Sequence, residues 1–156
     1  MRREERKVNS MEEILNIISR CEVCHLALCG EKGPYVVPMN FGVEVWEDKL
    51  RLYFHGAGQG TKMSLLAGDN RAAFSMSCGH KVVLAQSGCE ATMEYKSVCG
   101  SGRLVVVEGE EKVAGLTAIM NQYDEAEDYH FAPQAVEKVT VLRLEVEQVS
   151  GKASQK

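Results

Sequence analysis

The residues best suited to chemistry lie between His55 and Lys62, where the chain reads His-Gly-Ala-Gly-Gln-Gly-Thr-Lys. The apolar spacing over residues 63–67, followed by Gly68, predicts a short helix that begins at the end of this stretch. A glycine-rich turn that opens a helix presents unpaired backbone N–H groups and the positive end of the helix dipole. Thr61 and Lys62 add a hydroxyl donor and a cation, so the stretch predicts a phosphate site.

His55 ends a predicted strand, Leu50 to His55, in which apolar and polar residues alternate. Its side chain titrates near neutral pH, which would allow it to donate a proton to a substrate. A histidine at a strand end is also commonly a hydrogen-bonded structural group, and a lysine near a helix start is commonly solvated. The residues by themselves leave both interpretations open.

The segment Pro34 to Val45 precedes this strand and predicts one long strand. Counting by two places six residues on one face: Tyr35, Val37, Met39, Phe41, Val43 and Val45. Pro38 cannot donate to a ladder, so it indicates an edge strand or a bulge, and Gly42 indicates a close approach by another group. The segment is either an ordinary core strand or an apolar wall beside the phosphate site.

The remaining elements must hold these residues in place. Ser10 and Glu13 form a capping box that predicts an N-terminal helix over about residues 10–20, which buries Met11, Ile14, Leu15 and Ile18 and closes one end of a barrel. Gly100-Ser101-Gly102 predicts a kink in a long strand. A third helix starts at Glu110 and presents Val113, Leu116, Thr117 and Met120 on one face. The other predicted strands are Val23–Cys29, Ala72–Cys78, Met93–Val107 and Val139–Val149.

These elements predict one domain over residues 1–156, a mainly β, antiparallel barrel of about six strands with small helices. The net charge of −4 gives no clustered basic surface for nucleic acid. No run of about 18 apolar residues occurs and the charged start lacks a signal-peptide pattern, so we expect a cytoplasmic protein that does not associate with membranes. In that compartment the six cysteines are expected to be reduced thiols.

Four stretches together resemble the FMN-binding split-barrel family, in the branch of nitroimidazole-resistance and pyridoxamine 5′-phosphate oxidase-related proteins. They read VVPMNFGVE, LYFHGAGQGTK, CEATMEYKSV and EKVTVLRLEVEQVSGK, and the resemblance extends over roughly Arg2 to Lys152. No single stretch is specific, and their joint order carries the resemblance. It implies a six-stranded antiparallel split β-barrel.

The resemblance also implies a cofactor, FMN, and its contacts. The strand around the proline would line the isoalloxazine ring with Val37, Pro38, Met39, Asn40 and Phe41. The step from His55 through Gly56 and Ala57 to Gly60, Thr61 and Lys62 would hold the phosphate, with Lys62 as its cation. His55 would face the substrate side of the flavin as the catalytic residue, and Ser97 would touch the flavin. Relatives place two flavins at the interface of a homodimer, which is expected here too.

The expected function is an FMN-dependent oxidoreductase that passes electrons to a small organic acceptor such as a nitroaromatic compound. No GxGxxG step links a strand to a helix, so NAD(P)H would visit as a reductant without a dedicated domain. Pyridoxamine-phosphate oxidases carry a basic, tryptophan-containing C-terminal section, whereas residues 150–156 read Ser-Gly-Lys-Ala-Ser-Gln-Lys. We therefore expect a substrate other than pyridoxamine phosphate.

Two alternatives use the same barrel. One is a protein that binds haem or a deazaflavin, with His55, His80 or His130 as an axial haem ligand, and the other is a flavin-binding sensor or carrier without turnover. Cys21-x-x-Cys24, with His25, Cys29, Cys78, His80 and Cys89, contains enough soft ligands for a metal site. A second CxxC is missing, so structural thiols are expected and no metal.

Overall fold

The computed structural model describes residues 4–8, 10–124 and 129–154, and these form eight strands and four α-helices. A 3₁₀ turn at Glu4–Arg6 precedes them. The strands are β1 (Lys7–Val8), β2 (Cys24–Gly30), β3 (Gly33–Met39), β4 (Gly42–Trp46), β5 (Lys49–Gly56), β6 (Arg71–Val83), β7 (Thr92–Val107) and β8 (Thr140–Ser154). The helices are α1 (Met11–Ile18), α2 (Thr61–Gly68), α3 (Gly109–Tyr123) and α4 (Pro133–Lys138).

The strands form one antiparallel sheet in the order β3-β2-β6-β7-β8-β5-β4, and β1 pairs with β8. The sheet curls around the main apolar core, to which β2, β5, β6, β7 and β8 each contribute fully or almost fully buried side chains. The predicted antiparallel split barrel is confirmed. The predicted kink is also present, since the β7–β8 register shifts between Ser101 and Gly102.

Helix α1 closes one end of the barrel. The backbone N–H of Glu13 donates to Ser10 Oγ at 3.1 Å, which confirms the predicted helix start. The buried residues of α1 are Ile14, Ile17 and Ile18. Met11, which was predicted to face the core, is 40% exposed, whereas Ile17, which was not predicted to face it, is buried.

The prediction of one strand over Pro34 to Val45 is wrong. The chain forms β3, leaves the sheet at Asn40 and Phe41, and re-enters as β4 at the opposite edge. Phe41 lies between the two strands but is fully buried in the core. The alternation of apolar residues therefore continues without interruption from β3 into β4. This split and the short β1 raise the strand number from the expected six to eight within the described residues. The expectation for Pro38 is confirmed, because β3 is an edge strand.

Helix α3 packs outside the barrel on β4, β5 and β8, around a second apolar cluster of Tyr53, Val107, Leu116, Ile119 and Val141. A Cβ atom on Gly42 would lie 2.3 Å from the carbonyl carbon of Ala118, so α3 is the group that approaches this glycine.

The predicted apolar face of α3 is wrong except for Leu116, because its buried residues are Lys112, Gly115, Leu116 and Ile119. The helix approaches through Gly115, where a Cβ would lie 2.7 Å from Tyr53 Cδ1, and this turns Val113 outward.

Within the described ranges, no helix is both long and apolar enough to cross a membrane. The acidic stretch at 124–128, whose composition predicts a solvated loop, lies mostly outside the described residues.

Candidate functional site

The turn between β5 and α2 brings a strand end and a helix start together. Gly60 stands at the N-cap position of α2 with φ of +108°, a conformation that side chains disfavour, and no side chain caps the helix. The first helical bond runs from Ser64 N–H to Gly60 O at 3.0 Å. The N–H groups of residues 61–63 therefore have no partner within the helix and are available to an anion.

Lys62 extends from this helix start across the ends of β3 and β5. Its Nζ atom donates to Met39 Sδ at 3.5 Å, and a Cβ on Gly56 would come within 2.8 Å of Nζ. No carboxylate oxygen of the described residues lies within 4.0 Å of Nζ. Burial lowers the pKa of Lys62. A half-buried cation whose described acceptor is a thioether sulfur is well placed to receive an anionic ligand.

His55 lies beside this cation, on the exposed side of β5 and level with Val141 of β8. Partial burial and then the positive charge of Lys62 lower the pKa of His55. The imidazole is therefore neutral at neutral pH. We call the group formed by Met39, His55, Gly56 and Gly60–Lys62 the Lys62 corner.

The five residues proposed to line a ring do not present one common surface. Val37 and Met39 are half-buried and pack towards the main core, whereas Pro38 and Asn40 are exposed. Phe41 is fully buried, and its backbone N–H donates to Tyr123 Oη at 3.2 Å. Alternation along the strand separates these side chains, and of the five only Met39 is shown in contact with Lys62. The ring contacts stay a prediction.

Ser97 is not brought to the Lys62 corner within one protomer. It is half-buried on β7, where it pairs with Ser77 and Lys152. It lies ten residues along β7 from Val107, which is level with His55 two strands away. Ala57 lies exposed in the turn after β5.

A groove that the sequence did not indicate continues from Thr61 along α2. Its volume is about 830 Å³, and it lies between α2 and the β2–β3 hairpin. The helix residues that line it, Thr61, Ser64, Leu65 and Gly68, follow helical spacing. The helical spacing of these four residues can be read from the sequence. It does not show that the β2–β3 hairpin lies opposite them, so the groove could not be predicted. We call this space the α2 groove.

The cysteines fall into two groups. Cys21, Cys24 and Cys78 are buried, whereas Cys29, Cys89 and Cys99 are exposed, and all six are free. Burial raises the pKa of Cys21 and of Cys24 to about 12, which keeps both thiols protonated. In the part of the chain that the structure describes, no three His, Cys, Asp or Glu side chains gather as metal ligands. His80 hydrogen-bonds Ser77 at 3.0 Å, and His130 is exposed.

Three solved structures share this fold. A protein from Bacteroides thetaiotaomicron, provisionally described as a 5-nitroimidazole antibiotic resistance protein, is 31% identical, with 96% of this chain and 90% of that one covered and a TM-score of 0.79. The FAD and heme binding protein from Mycobacterium smegmatis is 23% identical, covers 97% and 74%, and has a TM-score of 0.82. A flavocytochrome from Azotobacter vinelandii is 20% identical, covers 100% and 72%, and has a TM-score of 0.78.

The two structures below 25% identity establish likeness of fold alone. Among curated proteins, no sequence matches the chain. The sequence profile of the family described as Pyridoxamine 5′-phosphate oxidase matches residues 10–153, which is nearly the whole chain. The barrel and this match agree, and the chain therefore belongs to the pyridoxamine 5′-phosphate oxidase family.

Proposed function

We propose that the protein is a flavin-dependent oxidoreductase that holds the 5′-phosphate of FMN at the Lys62 corner. The observation that carries this proposal is Lys62 itself, a half-buried ammonium without a carboxylate partner in the described chain, above Gly56 and beside an uncapped helix start. The family and the flavin-binding descriptions of two neighbours support the choice of a flavin.

The corner fits a phosphate dianion in both charge and donors. Lys62 would make a charge-assisted hydrogen bond, and the N–H groups at the start of α2 would bind the remaining oxygens. Gly56 leaves room for the ammonium, since any Cβ there would meet Nζ at 2.8 Å. Burial lowers the pKa of Lys62, and the negative charge of a bound dianion would raise that pKa again.

The ring would lie along the end of β3. As an edge strand, β3 leaves the backbone N–H and C=O groups of its outer edge outside the ladder, where they can pair with the polar edge of a planar ring. Residues 37–40 supply this edge, and Phe41 anchors it from the core. A bound flavin supplies the electron-transfer chemistry, while these residues orient it and exclude water.

His55 would lie on the side of the site where the electron acceptor binds. Its imidazole is neutral at neutral pH, and a bound phosphate dianion would favour the protonated form by offsetting the charge of Lys62. That imidazolium could donate its proton to a reduced acceptor at the exposed side of β5 and return to the neutral form. The proposed acceptor is a small organic molecule, with nitroaromatic compounds as the first class to test because of the B. thetaiotaomicron relative. NAD(P)H is the proposed reductant.

Replacement of His55 by Gln tests the role of this side chain. We expect unchanged FMN affinity, measured by titration of the visible flavin bands, and a fall of roughly a hundredfold in NAD(P)H-driven reduction of a nitroaromatic acceptor. His80→Gln is the control, because His80 is exposed and bonds only Ser77 among the described residues, and it should change neither quantity. Joint loss of FMN binding and turnover in His55→Gln would instead make His55 structural.

The same titration separates the other candidate functions. A protein that binds FMN but turns over no acceptor would be a carrier or sensor. A Soret band in the purified protein would indicate haem. If added FMN produces no bound-flavin bands in the wild-type protein, the proposed function is wrong.

A further inference from the structure

We propose that Met39 is an oxidation site whose modification weakens phosphate binding at the Lys62 corner. The inference rests on the proposed function, because the phosphate concerned is that of FMN. The oxidant is a peroxide, and the product is a sulfoxide whose oxygen lies beside the ammonium of Lys62. That oxygen would compete with the phosphate for the same donor.

Met39 is in direct contact with the cation of the corner. Lys62 Nζ donates to Met39 Sδ at 3.5 Å. In the described part of the chain, no carboxylate oxygen lies within 4.0 Å of this ammonium. A thioether sulfur is a weak acceptor. The ammonium is therefore held loosely, and a stronger acceptor on the same sulfur would act on it directly.

A small oxidant can reach the sulfur of Met39. This residue ends β3, which is an edge strand, and its side chain is half-buried. Its chain neighbours Pro38 and Asn40 are both exposed. Met76, by contrast, lies inside the core and is 1% exposed. Met39 thus combines access from solvent with contact to a functional cation.

The reaction is the oxidation of the thioether by hydrogen peroxide. The sulfur lone pair forms a bond to one peroxide oxygen, the O–O bond breaks, and the other oxygen leaves as water with both peroxide protons. The sulfur loses two electrons and the peroxide gains them. The product is a polar, chiral sulfoxide in place of an apolar thioether.

The sulfoxide would hold the ammonium of Lys62 towards the end of β3. Its S–O bond is strongly polarised, so its oxygen accepts a hydrogen bond from a cation better than a thioether does. An ammonium has three donors, so the sulfoxide and a phosphate can share it, and phosphate binding is weakened without being lost. Riboflavin lacks the phosphate, so the preference for FMN over riboflavin isolates this effect from any general loosening of β3.

The test measures this preference before and after treatment of the apoprotein with hydrogen peroxide. Dithiothreitol then returns reversibly oxidised thiols to their reduced form, since Cys29, Cys89 and Cys99 are exposed. Peptide mass spectrometry gives the fraction of Met39 converted to sulfoxide. We expect the preference for FMN to fall by about threefold to tenfold, the range of one net hydrogen bond, and to recover after treatment with methionine sulfoxide reductases for both epimers.

Three variants assign the effect to one sulfur. In Met39→Leu the preference should not change on peroxide treatment, because the sulfur is absent. Met93→Leu is the matched control, since Met93 is 42% exposed in the β6–β7 hairpin, and it should respond as the wild-type protein does. Met39→Gln places a carbonyl oxygen on an unbranched side chain of similar length, so it should show a lowered preference without peroxide.

Three outcomes would overturn the inference and leave the proposed function intact. The first is a Met39 that stays reduced after Met93 has been fully converted. The second is an undiminished preference for FMN in protein whose Met39 is fully converted, and the third is an equal fall in Met39→Leu. If the untreated wild-type protein binds FMN and riboflavin equally, the proposed phosphate site is wrong and this inference is refuted with it.

Discussion

Lys62 and His55 are coupled through charge. The ammonium sits half-buried over Gly56, and its field adds to burial in lowering the pKa of the neighbouring imidazole. A neutral histidine beside a cation that has no carboxylate partner among the described residues is poised for an anionic ligand, because binding a dianion would stabilise both protonated forms. The chemistry of the site therefore depends on two side chains that are seven positions apart in the sequence.

The protonation of His55 should respond to the charge of Lys62. In the wild-type protein we expect a His55 pKa below 6.5, and in Lys62→Met a pKa that moves up towards that value, measured by NMR titration of the ring protons. Since the folded state then binds fewer protons than the unfolded state, stability should rise with pH between the folded pKa and 6.5. That rise should be smaller in Lys62→Met.

Lys49→Met is the control for this titration, because Lys49 is exposed at the opposite end of β5. It should leave the His55 titration unchanged. An identical His55 pKa in the wild-type protein and in Lys62→Met would show that the two side chains do not interact.

Features of the site that depend on neighbouring residues in the chain could be predicted from the sequence. The helix start at Gly60 and Thr61 and the position of Lys62 followed from the glycine-rich turn, and α2 begins there. The contact between Lys62 and Met39 spans 23 positions and two elements, so no local pattern could indicate it. The same limit hid the burial of Phe41, whose place in the alternation resembles that of Val37.

The crossover from β3 to β4 determines how the elements hold the site. Asn40 and Phe41 leave one edge of the sheet and Gly42 begins the other, directly under α3. Tyr123 at the end of α3 accepts the Phe41 N–H and donates to Glu22 O at 2.8 Å, which ties the crossover to the segment after α1. The strand end that carries Met39 is thus tied through Tyr123 to α3 and to the segment between α1 and β2.

Gly42→Ala should destabilise this junction. The new Cβ would lie 2.3 Å from the carbonyl carbon of Ala118 and 2.4 Å from Ile119 N, so the backbone of α3 would have to move. We expect a loss of about 1–3 kcal/mol in the free energy of unfolding, measured by urea denaturation. Gly88→Ala, in an open turn, should change it by less than about 0.5 kcal/mol. A Gly42→Ala variant as stable as the wild-type protein would show that α3 does not press on this glycine.

Helices α1, α2 and α3 and most strands followed from the sequence pattern, but α4 and the β3–β4 split did not. Apolar residues alternate through Asn40 and Phe41 because both strands and the crossover face the same core. A one-dimensional pattern cannot distinguish a continuous strand from two strands at opposite edges. The apolar face of α3 was misjudged for a related reason, since close approach through Gly115 depends on the facing Tyr53.

In the whole molecule, the separation between Ser97 and the Lys62 corner gives the expected homodimer a role. Ser97 lies on β7, three strands from β3, which is about 14 Å across the sheet before curvature. If Ser97 touches the flavin as the family resemblance implies, it belongs to the second subunit. The dimer would then complete two equivalent sites.

Sedimentation velocity tests this arrangement. We expect the flavin-bound protein at micromolar concentration to sediment as one species of twice the 17.2 kDa chain mass. Ser97→Ala should lower flavin affinity by about tenfold or less, as expected for one hydroxyl bond, and leave the dimer unchanged. A flavin-bound monomer would contradict the shared site.

The most direct test of the account compares FMN with riboflavin, which lacks only the 5′-phosphate, by titration of the apoprotein. We expect the wild-type protein to prefer FMN by about tenfold to a hundredfold, from a charge-assisted bond of roughly 1.5–3 kcal/mol. Lys62→Met should remove most of that preference, whereas Lys49→Met should retain it. Equal binding of FMN and riboflavin by the wild-type protein, or an undiminished preference in Lys62→Met, would contradict a phosphate site at Lys62.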